Sequence, residues 1–247
     1  MYIKSGIIIP EKIGGKKMIG IIGAMDQEVS QVVSAMTDVK STNIAGMIFN
    51  SGKFCGKDVI VVKSGIGKVN AAICTQILAS VFQVDTVINT GIAGSLKAEI
   101  NIGDIVLSTD ALQHDVDATN FGYEPGVIPG MKISVFKASE ELIEKAETAC
   151  KRENPELGVF KGRVVSGDQF ISDKNTKERI ANTFQGYCTE MEGAAIAQAA
   201  YLNNIPFLII RAISDKADDS ASMDYDEFEK KAIANSVKLL TALIGEI

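Results

Sequence analysis

Acidic side chains placed where apolar segments end are the first candidates for chemistry in this sequence. Gly23-Ala24-Met25-Asp26-Gln27-Glu28 follows the run MIGIIG, and Thr90-Gly91-Ile92-Ala93-Gly94 closes the run TVINT. Thr189-Glu190-Met191-Glu192-Gly193 precedes an alanine-rich stretch, and Arg211-Ala212-Ile213-Ser214-Asp215 ends PFLIIRAIS. Ligands of parallel sheets bind beyond the carboxyl ends of strands, so acids at these junctions point to general acid-base work. A phosphate cradle asks for glycine amides with Lys or Arg at a helix start, whereas the first junction offers Asp26 and Glu28; water is the expected nucleophile.

Each candidate also has a plainer reading. Glu28 is a first-turn acid that favours a helix dipole. Asp215, at the end of a run apolar enough for a central strand, is either a desolvated general acid with a raised pKa, a helix N-cap, or a partner for Arg211. Glu190 and Glu192 read equally as a strand-end pair, one buried by a partner and one solvated. Phe170, in Ser166-Gly167-Asp168-Gln169-Phe170-Ile171, either stacks on a flat ring or joins the core.

These residues need a scaffold that gathers strand ends. Residues 18–23, 59–63, 86–90, 105–108, 163–166 and 206–214 read as strands, the third ending at Gly91. The apolar spacing of Val29, Val32, Val33 and Met36, and that of residues 69–81, 140–152, 193–203 and 228–244, reads as helix. Residues 43–54 resemble a hairpin pairing with the strand at Val59. Alternating strands and helices imply a mostly parallel sheet between helical layers, and no hinge or repeat divides the chain. Residues 113–131 lack periodicity and form a long loop carrying Phe121, Tyr123, Val127 and Ile128, of the kind that is usually functional.

With 247 residues, 46% hydrophobic and 23% charged, the chain has the profile of a globular enzyme able to enclose a pocket. A formal net charge of -6 disfavours nucleic acid and membrane surfaces as partners. Cys55, Cys74, Cys150 and Cys188 are widely spaced and read as reduced core residues. With His114 as the single histidine, a zinc cluster and a serine triad are both disfavoured. The apolar run of residues 7–10 is too short for a secretory segment or a membrane span, so the expected location is the cytoplasm.

Taken together, GIIGAMDQEV, KSGIGKVNAA, INTGIAGSL, SGDQFI, TEMEGAAIAQ and RAISDKAD resemble the methylthioadenosine/S-adenosylhomocysteine nucleosidases, within the purine nucleoside phosphorylase-like superfamily. The likeness runs from Met18 to the C-terminus and leaves residues 1–17 outside the family pattern, with 18–247 as the nucleosidase domain. It implies a single three-layer α/β/α domain around a mixed, partly barrel-like sheet. It also implies hydrolysis of the N-glycosidic bond of 5'-methylthioadenosine, S-adenosylhomocysteine and 5'-deoxyadenosine, in methionine salvage, with no metal or organic cofactor. By the resemblance Glu28 activates water, Asp215 protonates the purine and Glu192 binds the sugar. Met191 packs under the ribose, Phe170 stacks on adenine, the Ile171 backbone reads its edge and Arg211 lies near the ribose glutamate. Met25 and Ile92 join the substrate site, and Tyr225 stands where the family usually has Phe beside the 5' substituent. Ile92 departs from members that have a serine there to orient the aspartate. The 113–131 loop is expected to complete the pocket of a second copy in a homodimer, setting Phe121 and Pro129 against the 5' group.

A phosphate-dependent purine nucleoside phosphorylase, a 6-amino-6-deoxyfutalosine hydrolase and a non-catalytic adenosine-binding module are the rival expectations. The presence of all three acids disfavours the last.

Overall fold

Short β-branched runs apolar on both faces form the centre of the molecule in the computed structural model, which describes residues 17–218 and 221–247 apart from the side chains of 221–227. The elements are β1 (Met18–Gly23), α1 (Asp26–Ser34), β2 (Thr37–Ile44), β3 (Met47–Phe54), β4 (Lys57–Lys63), α2 (Lys68–Ser80), β5 (Thr86–Ser95) and β6 (Ile105–Gln113). They continue with β7 (Phe136–Lys137), α3 (Glu140–Glu153), β8 (Val159–Ser166), α4 (Lys174–Phe184), β9 (Cys188–Glu190), α5 (Gly193–Leu202), β10 (Phe207–Asp215) and α6 (Ala221–Glu246).

Successive side chains of a strand point to opposite faces, and here both faces are apolar. Ile19, Ile21, Val61, Ile88 and Leu208 pack with the helices α1, α3 and α6. Ile22, Ile60, Val62, Val87 and Ile209 pack with α2 and α5. This gives three layers, and each fully buried Ile, Leu or Val contributes about 1.5–3 kcal/mol relative to exposure.

β1 lies parallel to both β4 and β5, and the antiparallel strands β3 and β2 extend the sheet beyond β4. On its other side β5 runs parallel to β10; β10 is antiparallel to β6, β6 parallel to β8, β8 parallel to β9, and β9 antiparallel to β5. The circuit closes, so the sheet is mixed and contains a barrel in which β5 is the shared strand.

Several expectations are corrected. β5 does not end at Gly91 but continues to Ser95 with every residue buried, because its glycines serve close approach rather than a turn. β6 runs on to Gln113, and the hairpin begins at Thr37 rather than at residue 43. α4 was not anticipated: its buried residues are only Ile180 and Phe184, too sparse a stripe to read as a helix. Its start is marked instead by Asp173, whose carboxylate accepts from the Asn175 and Thr176 amides. Cys55 is not a core residue; it is exposed between β3 and β4, with positive φ, while Cys74, Cys150 and Cys188 are buried. The expected long loop begins one residue later, after Gln113, and runs through residue 131, regular only in a 3₁₀ turn at Thr119–Phe121.

Candidate active site

The parallel pairing of β1, β5 and β10 brings the junctions after MIGIIG, TVINT and PFLIIRAIS to one end of the sheet. β9, joined antiparallel to β5 through Gly94↔Thr189, delivers Glu190 and the start of α5 to the same end.

Glu28 occupies the third position of α1 and is 5% exposed. Its Oε2 accepts from the backbone N–H groups of Ala24 at 2.6 Å and Met25 at 3.0 Å, and its Oε1 from that of Ile92 at 3.3 Å. Glu28 thus caps α1 and also faces a cavity. Burial pushes its carboxyl above the usual range, against the pull of Arg211 and the three amides.

Asp215, 2% exposed, ends β10. The Ser214 hydroxyl donates to its Oδ2 at 2.8 Å and the Ala217 N–H to its Oδ1 at 2.7 Å. Two glycines of β5 make room for the acids: a methyl group on Gly91 would lie 2.7 Å from Glu28 Oε1, and one on Gly94 would lie 2.6 Å from Asp215 Oδ1. The two glycines are three residues, roughly 10 Å, apart along the extended strand.

Arg211 is ion-paired to Glu190, with Nη2 2.5 Å from Glu190 Oε2; it donates as well to Asn89 Oδ1 at 2.5 Å and to the Ile210 carbonyl at 3.0 Å. Glu190 also accepts from the Gly193 N–H at 2.8 Å and from the Ser166 hydroxyl. Burial works to lower the Arg211 pKa, but Glu190, Glu192 and Glu28 together hold it above its ordinary value. Glu192 is not the solvated member of a pair: it is 6% exposed and its Oε1 accepts from the Gly67 N–H at 2.8 Å. Burial first, and the neighbouring Glu190 second, push its carboxyl up to about 8.

These groups meet at one cavity of about 540 Å³, within the usual range for a small-molecule site. Glu28, Asp215, Glu192, Met191, Met25 and Ile92 line it, and so does Phe170, which is half exposed rather than part of the core. Arg211 and Ile171 are not in the lining; Arg211 lies behind Glu190, and the Ile171 side chain packs with Leu96, Leu112, Ile180 and Phe184. Phe121, 85% exposed, and Pro129, also exposed, lie outside this cavity of the single chain. The backbone of Tyr225 belongs to α6, but its side chain lies outside the described residues, as do residues 1–16.

Sequence reasoning assigned no role to Ile66, Thr189 or Ser214, all of which line the cavity, nor to the Gly67 amide. The glycine pair in KSGIGK was the available signal for Ile66 and Gly67, since a loop so punctuated after a strand can bring its backbone close to a ligand. Ile92 meets Glu28 through its N–H, while Ser214 and Ala217 bond Asp215.

Fold and site define a three-layer α/β/α enzyme with buried acids at strand ends, and the family model described as the Phosphorylase superfamily matches residues 18–245. A 5'-methylthioadenosine/S-adenosylhomocysteine nucleosidase of Bacillus cytotoxicus is 42% identical over 230 residues, covering 93% of this chain and 99% of that one. The crystal structure of the nucleosidase of that name from Neisseria meningitidis, in complex with methylthio-immucillin-A, superposes with a TM-score of 0.90 at 39% identity, covering 94% of this chain and 100% of the other. The native structure of a futalosine hydrolase of Helicobacter pylori superposes at 0.88 with 32% identity, over 94% and 98% of the two chains. The chain belongs to the 5'-methylthioadenosine/S-adenosylhomocysteine nucleosidase family of that superfamily.

Proposed function

We propose that this protein hydrolyses the N-glycosidic bond of 5'-methylthioadenosine and S-adenosylhomocysteine, and of 5'-deoxyadenosine, releasing adenine and the 5'-substituted ribose. The observation that carries this reading is the presence of Glu28, Asp215 and Glu192 on one nucleoside-sized cavity.

Breaking the bond builds positive charge on the ribose and negative charge on the departing purine. Asp215 in its neutral form donates a proton to adenine, at N7, as the bond lengthens. Glu28 in its ionised form takes a proton from the water that attacks C1'. The amides of Ala24, Met25 and Ile92 favour the anion, while burial raises its proton affinity toward that of an effective base. Both acids line the one cavity, in which the sugar and the attacking water are placed between them, as in inverting glycosidases. Glu192, steadied by the Gly67 amide, binds the ribose hydroxyls, next to the Arg211–Glu190 ion pair.

In this reading Phe170 stacks on adenine, the Ile171 backbone reads its edge, Met191 packs under the ribose, and Met25 and Ile92 wall the site. Tyr225, with the partner subunit's Phe121 and the partner subunit's Pro129, encloses the 5' group in a homodimer completed by the 113–131 loop. The strong exposure of Phe121 supports the last point, since a large apolar side chain on a loop favours a covering surface. Residues 18–247 form the nucleosidase domain and 1–17 stand outside it. The reaction is assigned to methionine salvage in the cytoplasm; no helix among the described residues is long and apolar enough to cross a membrane.

The test is adenine release in phosphate-free buffer from 5'-methylthioadenosine, S-adenosylhomocysteine, 5'-deoxyadenosine and 6-amino-6-deoxyfutalosine, with identification of the sugar product. Free 5-methylthioribose formed without phosphate is expected. A 1-phosphorylated sugar, or turnover confined to the futalosine derivative, would overturn the proposal.

A further inference from the structure

Of the residues that follow β10, Ala217 bonds the Asp215 carboxyl, and α4 grips the residues on either side of it. Ala217 donates its N–H to Asp215 Oδ1 at 2.7 Å from a backbone with φ 52°, a left-handed conformation that is costly for a residue other than glycine. Such a conformation persists where its surroundings over-determine it. Ala217 packs, fully buried, in a cluster with Ile171, Ile180 and Phe184. The Lys216 ammonium donates to the Ile100 carbonyl at 2.5 Å, fixing that side chain. The backbone itself is gripped from α4, where the Lys177 ammonium donates to the Lys216 carbonyl at 2.5 Å and pairs with Asp218 Oδ2 at 3.2 Å. Lys177 thus bridges the residues on either side of Ala217, and its side chain is only 18% exposed.

We propose that Lys177 is a positioning residue for the Asp215 carboxyl: by clamping Lys216 and Asp218 it keeps the Ala217 N–H on Asp215. The same helix begins just after Phe170 and Ile171, so one element ties the segment facing the purine to the group that protonates it. The inference rests on the reading of Asp215 as general acid.

The experiment compares wild type, Lys177→Met, Lys177→Arg and Asp215→Asn on 5'-methylthioadenosine and on the 4-nitrophenyl glycoside of 5-methylthioribose, whose leaving group departs without protonation. Lys177→Met is expected to lower kcat on the nucleoside by about 10- to 100-fold with KM changed less than about threefold. It should leave cleavage of the nitrophenyl glycoside within about threefold of wild type, and Lys177→Arg should recover most of the loss. Unchanged nucleoside turnover, equal slowing of both substrates, or no recovery in Lys177→Arg would overturn the proposal. Should Lys177→Met not fold, Lys177→Gln is held to the same comparison. If Asp215→Asn slows both substrates equally, the acid assignment itself fails, which separates that failure from a failure of the clamp alone.

Discussion

Burial, and after it the neighbouring Glu190, push the Glu192 carboxyl up to about 8 against the pull of the Gly67 amide and the Arg211 guanidinium. That carboxyl titrates near 8 in the folded protein against 4.5 for the ordinary group, so between those values the folded state holds a proton that the unfolded state has lost. The stability gained by keeping that proton is complete below about 4.5 and is lost as pH rises through about 8. Glu192→Gln removes the ionisation while leaving an oxygen to accept from Gly67. We expect the unliganded variant to melt at least about 3 °C above wild type at pH 8.5 and to lose most of its nucleoside affinity. Equal melting temperatures at that pH, by calorimetry, would contradict the assignment. Glu28 shows why such residues were ambiguous in the sequence. A helix-capping carboxylate and a carboxylate facing a cavity can be the same atoms, so no local pattern distinguishes them.

β5 is the element on which the site depends, because both carboxylates lie against its glycines. Gly94→Ala would place a methyl 2.6 Å from Asp215 Oδ1 and 2.8 Å from the Ala217 Cβ. The variant should fold at a cost of about 1–3 kcal/mol and lose roughly 100-fold or more in kcat, since small misplacements of reacting groups are expensive. Near-normal turnover in a steady-state assay would show that Asp215 tolerates displacement. Those glycines read as a strand end in the sequence because composition does not separate a turn from a close approach. Similarly, β9 is three residues long and the closure it makes depends on pairings between distant segments, so the barrel was legible only through family resemblance. The alternating sheet and helices were legible directly, since the strands repeat an apolar pattern on both faces. α4, with two buried side chains, was not.

At the scale of the whole molecule, the single chain gathers the acids but leaves Phe121 in solvent. In the proposed homodimer Phe121 is covered and closes the part of the pocket assigned to the 5' group. Phe121→Ala should therefore reduce kcat/KM for 5'-methylthioadenosine by about 10- to 100-fold, and sedimentation of the wild-type protein should show a dimer; a fully active monomer would refute this. In the proposed reaction one nucleoside lies between two carboxylates that play opposite roles. This arrangement is tested most directly by the turnover of folded Glu28→Gln and Asp215→Asn on 5'-methylthioadenosine without phosphate. Each variant is predicted to lose at least about 100-fold in kcat, and near-normal turnover by either one would contradict the account.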